Sequence, residues 1–195
     1  SHPDKVYRDR TVDFFNQHIE AAVQLDCDHM VVSTGFAYLD VDAEDAFGWC
    51  AEAMGRIARK AEQEGVTLAV EPFTKYTTHI CNEASQLRRL LRTVNNPRLM
   101  GLADTDVIAT TAVDTFSTFL DVIGPENLGH VHFVDGNPGG HLVPGDGVLD
   151  LDGALEKLKA IHYTGALGLE VLDRRYVFAP EAAMKQAMDW YKERI

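Results

Sequence analysis

Gly65–Thr74 reads G-V-T-L-A-V-E-P-F-T, and its residues indicate how the chain is built. Gly65 ends a helical pattern. Val66–Val70 is a short β-branched and apolar run, and Pro72 lacks the N–H that further sheet pairing would need. Glu71 stands at the tip of that run, where a carboxylate is costly unless something pairs with it. Three further runs end alike: Leu99–Ala103 leads into Asp104, Leu128–Val131 into His132, and Ala166–Leu169 into Glu170. The four tips carry Glu, Asp, His and Glu, a set able to hold one divalent metal ion.

Outward from these tips the chain alternates. Apolar residues at helical spacing predict a helix over Tyr7–Leu25, and Met30–Ser33 is a short strand. A helix over about Asp45–Gln63, capped by Asp42 or Asp45, is expected to bury Trp49 among its small residues. Asn82 is expected to cap the helix after Glu71, and another helix is expected around Val113–Val122. Leu128–Val134 forms a strand, Gly136–Gly147 a Gly-rich loop, and Asp150 or Asp152 starts the next helix. Ala166–Leu172 is the last strand, and Pro180 suits the first position of the final helix.

Strict strand–helix alternation without hairpin signals argues for a parallel sheet flanked by helices. The strands read as near-continuous apolar runs, as expected when both faces are covered. No G-x-G-x-x-G follows a strand, which leaves a doubly wound nucleotide-binding sheet without its usual phosphate loop. Functional groups at the C-terminal ends of successive strands, spaced roughly 30 residues apart, suit an α/β fold of the (β/α)8 TIM-barrel type. The chain offers five strands where a closed barrel needs eight. Residues 1–195 are therefore expected to be one domain that supplies about the last five β/α units, with the first three absent from this sequence. An open sheet edge would need covering, and a homo-oligomer is expected.

The 195 residues, 46% hydrophobic and 25% charged, have the composition of a globular protein rather than a disordered one. A net charge of −12 argues against nucleic acid or an anionic membrane as partner. Cys27, Cys50 and Cys81 are odd in number and share no C-x-x-C spacing, so reduced thiols are expected. Ser1–Arg10 has no signal-peptide pattern, no run approaches the length of a bilayer span, and a cytoplasmic location is expected.

Three carboxylates and one imidazole favour Mn²⁺, with Mg²⁺, Co²⁺ and Zn²⁺ as alternatives. A cation between two glutamates suits proton transfer beside a carbonyl. The ion would stabilise the enediolate of a ketose while Glu71 and Glu170 act as acid and base from opposite faces, which amounts to epimerisation. His141 precedes the Pro144–Gly147 turn and is a candidate substrate contact. Lys75 follows Glu71 on a loop, Arg174 follows Glu170, and both are further substrate candidates, Arg174 for an anionic group. Tyr76 and His79 share the Lys75 loop and are expected at the surface. His130 is expected to point away from His132 and to serve packing, as are Trp49 and Trp190.

The stretches Gly65–Thr74, G-L-A-D-T-D (Gly101–Asp106), H-V-H-F-V-D-G (His130–Gly136), H-L-V-P-G-D-G (His141–Gly147) and L-G-L-E-V (Leu167–Val171) resemble the xylose-isomerase-like TIM-barrel sugar isomerases and epimerases. The nearest likeness is to the fructoselysine 3-epimerase and ketose 3-epimerase branch. The resemblance implies metal ligands at Glu71, Asp104, His132 and Glu170, with the two glutamates as the proton-transfer pair. It also implies a small sugar substrate and 3-epimerisation of a ketose or ketose derivative. An aldose–ketose, hydroxypyruvate or inosose-type isomerase would use the same site. The chain departs from the D-x-x-H of many relatives at Val107, from a second Glu of the ketose 3-epimerases at Thr77, and from a later Arg at Asn137–His141. Endonuclease IV-like apurinic endonucleases need ligands at positions occupied here by Val107 and Gly139, which disfavours that function.

Overall fold

In the computed structural model, which describes residues 1–194, seven α-helices alternate with five strands. The order is α1 (Lys5–Gln24), β1 (His29–Ser33), α2 (Ala43–Glu64), β2 (Thr67–Glu71), α3 (Ala84–Val94), β3 (Leu99–Asp104), α4 (Thr105–Thr111), α5 (Phe116–Ile123), β4 (Leu128–His132), α6 (Leu151–Ala160), β5 (Leu167–Gly168) and α7 (Pro180–Lys192). All four strand pairings are parallel, in the sequential order β1-β2-β3-β4-β5. This is the TIM-barrel wall over about five units. Among the described residues no helix is long and apolar enough to cross a membrane.

Side chains on a strand point alternately to opposite faces. Leu68, Val70, Ala103 and Val131 pack outward against Ile57, Leu87, Leu90, Phe119, Leu120 and Ile123 of the helices, all buried. That alternation turns Glu71, Asp104 and His132 to the opposite, inner face. Register then sets their height. Asp104 pairs with His132, and His132 with Gly168, so the tips lie side by side. Gly65 ends α2 in the left-handed conformation at φ 77° and lets β2 begin two residues later.

Several local expectations change. Asp42, rather than Asp45, caps α2, accepting from the Glu44 and Asp45 amides. Trp49 is only half-buried, under the Arg8 guanidinium, and Phe47 is the buried aromatic of that helix. Asn82 does not cap α3: its side chain donates to the Phe73 and Thr78 carbonyls, and Asp114 accepts the Ala84 amide from outside the helix. The helix expected around Val113–Val122 is α5, and Val113 is exposed outside it. The short α4 has no counterpart in the sequence pattern. Asp104 nucleates it by accepting from the Asp106 and Val107 amides with one oxygen.

β4 stops at His132 instead of Val134 because the Thr105 hydroxyl takes over the ladder. It accepts from the Val134 amide at 2.9 Å and donates to the Val134 carbonyl at 2.6 Å. β5 is paired only over Leu167–Gly168, so Glu170 lies beyond the ladder rather than within a strand reaching Leu172. Pro180 takes the first turn of α7 as expected. Trp190, on that helix, packs against Phe133 with ring centroids 6.0 Å apart.

Candidate metal centre

Glu71, Asp104 and His132 are the last residues of β2, β3 and β4, and Glu170 stands two residues past β5. Each offers one ligand atom, and the four atoms lie within 4.8 Å of one another. His132 Nδ1 is central: it is 3.1 Å from Glu71 Oε1 and 3.4 Å from both Asp104 Oδ2 and Glu170 Oε2. Glu71, Asp104 and His132 are buried, whereas the Glu170 side chain is 38% exposed and forms the open side.

The two oxygens of Asp104 have different work. Oδ1 caps α4. Oδ2 is buried without a hydrogen bond, although His132 Nδ1 and His141 Nε2 approach it at 3.4 and 3.3 Å. A buried carboxylate oxygen left in that state is costly unless a cation meets it. Three hard oxygens and one imidazole nitrogen around it form a donor set that fits a divalent ion.

Electrostatics point the same way. Burial raises the Glu71 pKa against the pull of His132. Burial also opposes charge on His132, yet the Asp104, Glu170 and Glu71 carboxylates prevail and push its pKa up to about 11. His141 behaves alike: burial is outweighed by Asp104, Asp106 and Glu170, which raise it to about 12. Burial would raise Asp104, but attraction to the two histidines brings it below the usual range. His132 and then His141 lower Glu170 to about 2. Protonated imidazoles therefore balance the carboxylates when no other cation does.

His141 reaches the cluster, with Nε2 3.3 Å from Asp104 Oδ2 and 3.3 Å from Glu170 Oε2. Lys75 is exposed on its loop with its ammonium 5.7 Å from the Tyr76 ring centre, and Arg174 is exposed at the start of a 3-10 turn. Among the described residues neither forms an ion pair with the cluster. His79 is not a surface side chain: both ring nitrogens are buried without a hydrogen-bond partner. His130 shares the inner face with His132, since residues two apart on a strand point the same way. Their rings meet edge to face at 5.4 Å.

Two buried acids lie outside the set that the strand tips reveal. Asp135 accepts the amides of Gly136, Gly145, Gly147 and Leu149, which gathers the Gly-rich loop around one carboxylate. Asp106 binds the other half of that loop. Their sequence signal is slight, an acid inside the motifs D-T-D and V-D-G.

A family model described as xylose isomerase-like TIM barrel matches residues 1–194, and the chain belongs to that family. The fructoselysine 3-epimerase of Shigella flexneri is 25% identical over 191 residues, covering 97% of this chain and 68% of that protein. The ketose 3-epimerase of Arthrobacter globiformis is 30% identical over 118 residues, covering 60% of this chain and 39% of that one. A D-psicose 3-epimerase structure from Clostridium cellulolyticum H10, with D-tagatose, superposes with a TM-score of 0.85 at 19% identity. The match covers 99% of this chain and 73% of that one.

Proposed function

We propose that this chain carries the catalytic centre of a divalent-metal-dependent sugar epimerase acting at C3 of a ketose or ketose derivative. The convergence of Glu71, Asp104, His132 and Glu170 within 4.8 Å carries the proposal. These four residues would hold the ion, with Mn²⁺ favoured by three oxygen donors and one imidazole. When bound, the ion supplies the positive charge that stabilises an enediolate. The similarity to proteins named fructoselysine 3-epimerase and ketose 3-epimerase supports both the substrate class and the carbon at which protons move.

The side chains divide the work. Glu71 ends β2 and Glu170 follows β5, with β3 and β4 between those strands, so their carboxylates address a small substrate from different sides. One removes the proton beside the carbonyl and the other returns a proton from the opposite face, which inverts the carbon. Glu170, on the open side, meets the substrate with His141 beside it. Asp104 has one oxygen fixed by the α4 cap, and this holds its other oxygen in place without relying on the substrate. His141, Lys75 and Arg174 are the proposed substrate contacts, and a cytoplasmic homo-oligomer is the proposed working form.

The test is deuterium uptake at C3 from heavy water, followed by NMR across a panel of free and phosphorylated ketoses with Mn²⁺ added. Glu71→Gln and Glu170→Gln should each reduce uptake about a thousandfold, as expected when an essential acid or base is removed. Undiminished uptake in Glu71→Gln would remove the mechanism.

A further inference from the structure

The Gly-rich connection from β4 to α6 turns back over the centre through backbone that side chains avoid. Gly139 and Gly140 have φ of 96° and 110°, and His141, which is not glycine, has φ 48°. A residue stays in the left-handed region when its surroundings over-determine it. The Asn137 and Leu172 amides hold the Gly139 and His141 carbonyls, and the side chain that holds the Gly139 and His141 amides is Asp106, 1% exposed in the first turn of α4. Asp106 Oδ1 accepts the Gly139 amide at 2.6 Å, and Oδ2 accepts the His141 amide at 3.1 Å. Oδ2 also lies 2.9 Å from His141 Nδ1. Gly136 passes so close that a Cβ there would collide with Asp106 Oδ1. With Nδ1 engaged, the ring has one orientation left, and it aims Nε2 between Asp104 and Glu170.

We propose that Asp106 is a positioning residue: it latches the Gly139–His141 turn and fixes the His141 ring so that Nε2 faces the substrate beside Glu170. The latch is a matter of geometry and holds whatever the substrate. Only what Nε2 meets rests on the proposed sugar chemistry. Asp106 acts through His141 and touches neither substrate nor ion. Asparagine at this position keeps the size and one acceptor but presents an NH₂ group where two His141 groups need an oxygen.

Amide hydrogen exchange and a double-mutant cycle test the proposal. In the unmutated protein the Gly139 and His141 amides should exchange as slowly as the buried amides of α4. In Asp106→Asn and Asp106→Ala they should exchange at least about tenfold faster, while the Leu155 and Leu158 amides of α6 keep their rates. Free exchange at Gly139 in the unmutated protein, or unchanged exchange in both variants, would overturn the latch. In the deuterium-uptake assay, Asp106→Asn and His141→Gln should each lower kcat/KM about tenfold or more, and the double variant should be no worse than His141→Gln alone. Losses that multiply would show that Asp106 does not act through His141. Mn²⁺ affinity measured by calorimetry should change less than about threefold in Asp106→Asn, and a larger loss would place its action on Asp104 instead. Failure of the unmutated protein to exchange with every ketose would refute the epimerase proposal, and the amide data would still decide the latch.

Discussion

At the scale of single residues, the inner face of β4 is filled by two imidazoles. His130 and His132 stack edge to face, and Gly168 of β5 forms the wall beside them. A Cβ at Gly168 would lie 2.9 Å from His130 Nε2 and 3.2 Å from His132 Cδ2, closer than packed atoms normally come. Gly168→Ala should therefore tilt His132 and weaken Mn²⁺ binding about tenfold, the range seen when support for a ligand is disturbed. Titration calorimetry reads this directly, and unchanged affinity would mean the ring is free to move. His130 thus belongs to the setting of the centre. Placing it on the other face conflicts with the two-residue period of a strand, which the sequence itself carries.

At the scale of elements, Thr105 marks where sheet gives way to site. Its hydroxyl satisfies both backbone groups of Val134 after β3 and β4 stop pairing. Thr105→Val keeps the shape and leaves a buried donor and acceptor without partners, a change that should cost about 2 kcal/mol. Urea unfolding at constant m would measure it, and a loss below about 0.5 kcal/mol would mean water replaces the hydroxyl. The order of strands and the longer helices were legible because apolar periodicity and Gly or Pro stops are local signals. Glu71, Asp104 and His132 were legible as strand tips for the same reason, whereas Glu170 lies two residues past the paired part of β5. α4 was not, since it is only seven residues long and depends on a cap from a residue already read as a ligand. The roles of Asp106 and Asp135 were hidden because each acts on a loop that folding brings to it.

At the scale of the whole molecule, proton binding at the candidate centre is tied to folding, and metal binding there would be tied to both. His132 and His141 have folded pKa values raised to about 11 and 12, above an unfolded value near 6.5. Their contribution to metal-free stability is complete below about pH 6.5 and fades as pH rises toward the folded values. Glu71, raised by burial, fades in the same direction. Glu170, lowered to about 2, contributes above an unfolded value near 4.3 and fades only as pH falls toward 2. The two histidines and Glu170 should therefore stabilise metal-free protein most between about pH 4.3 and 6.5, and less above it. A bound cation needs His132 without its proton, so metal affinity should rise with pH above that interval. Scanning calorimetry between about pH 6 and 9 should show the Mn²⁺-induced rise in Tm growing with pH. A rise in Tm that shrinks with pH would contradict the assignment of His132 as a ligand.

The most direct measurement is anomalous diffraction from Mn²⁺-soaked crystals. One peak is expected about 2.0–2.3 Å from oxygens of Glu71, Asp104 and Glu170 and from Nδ1 of His132. A peak elsewhere, or none at a saturating concentration, would contradict a metal centre built from these four residues.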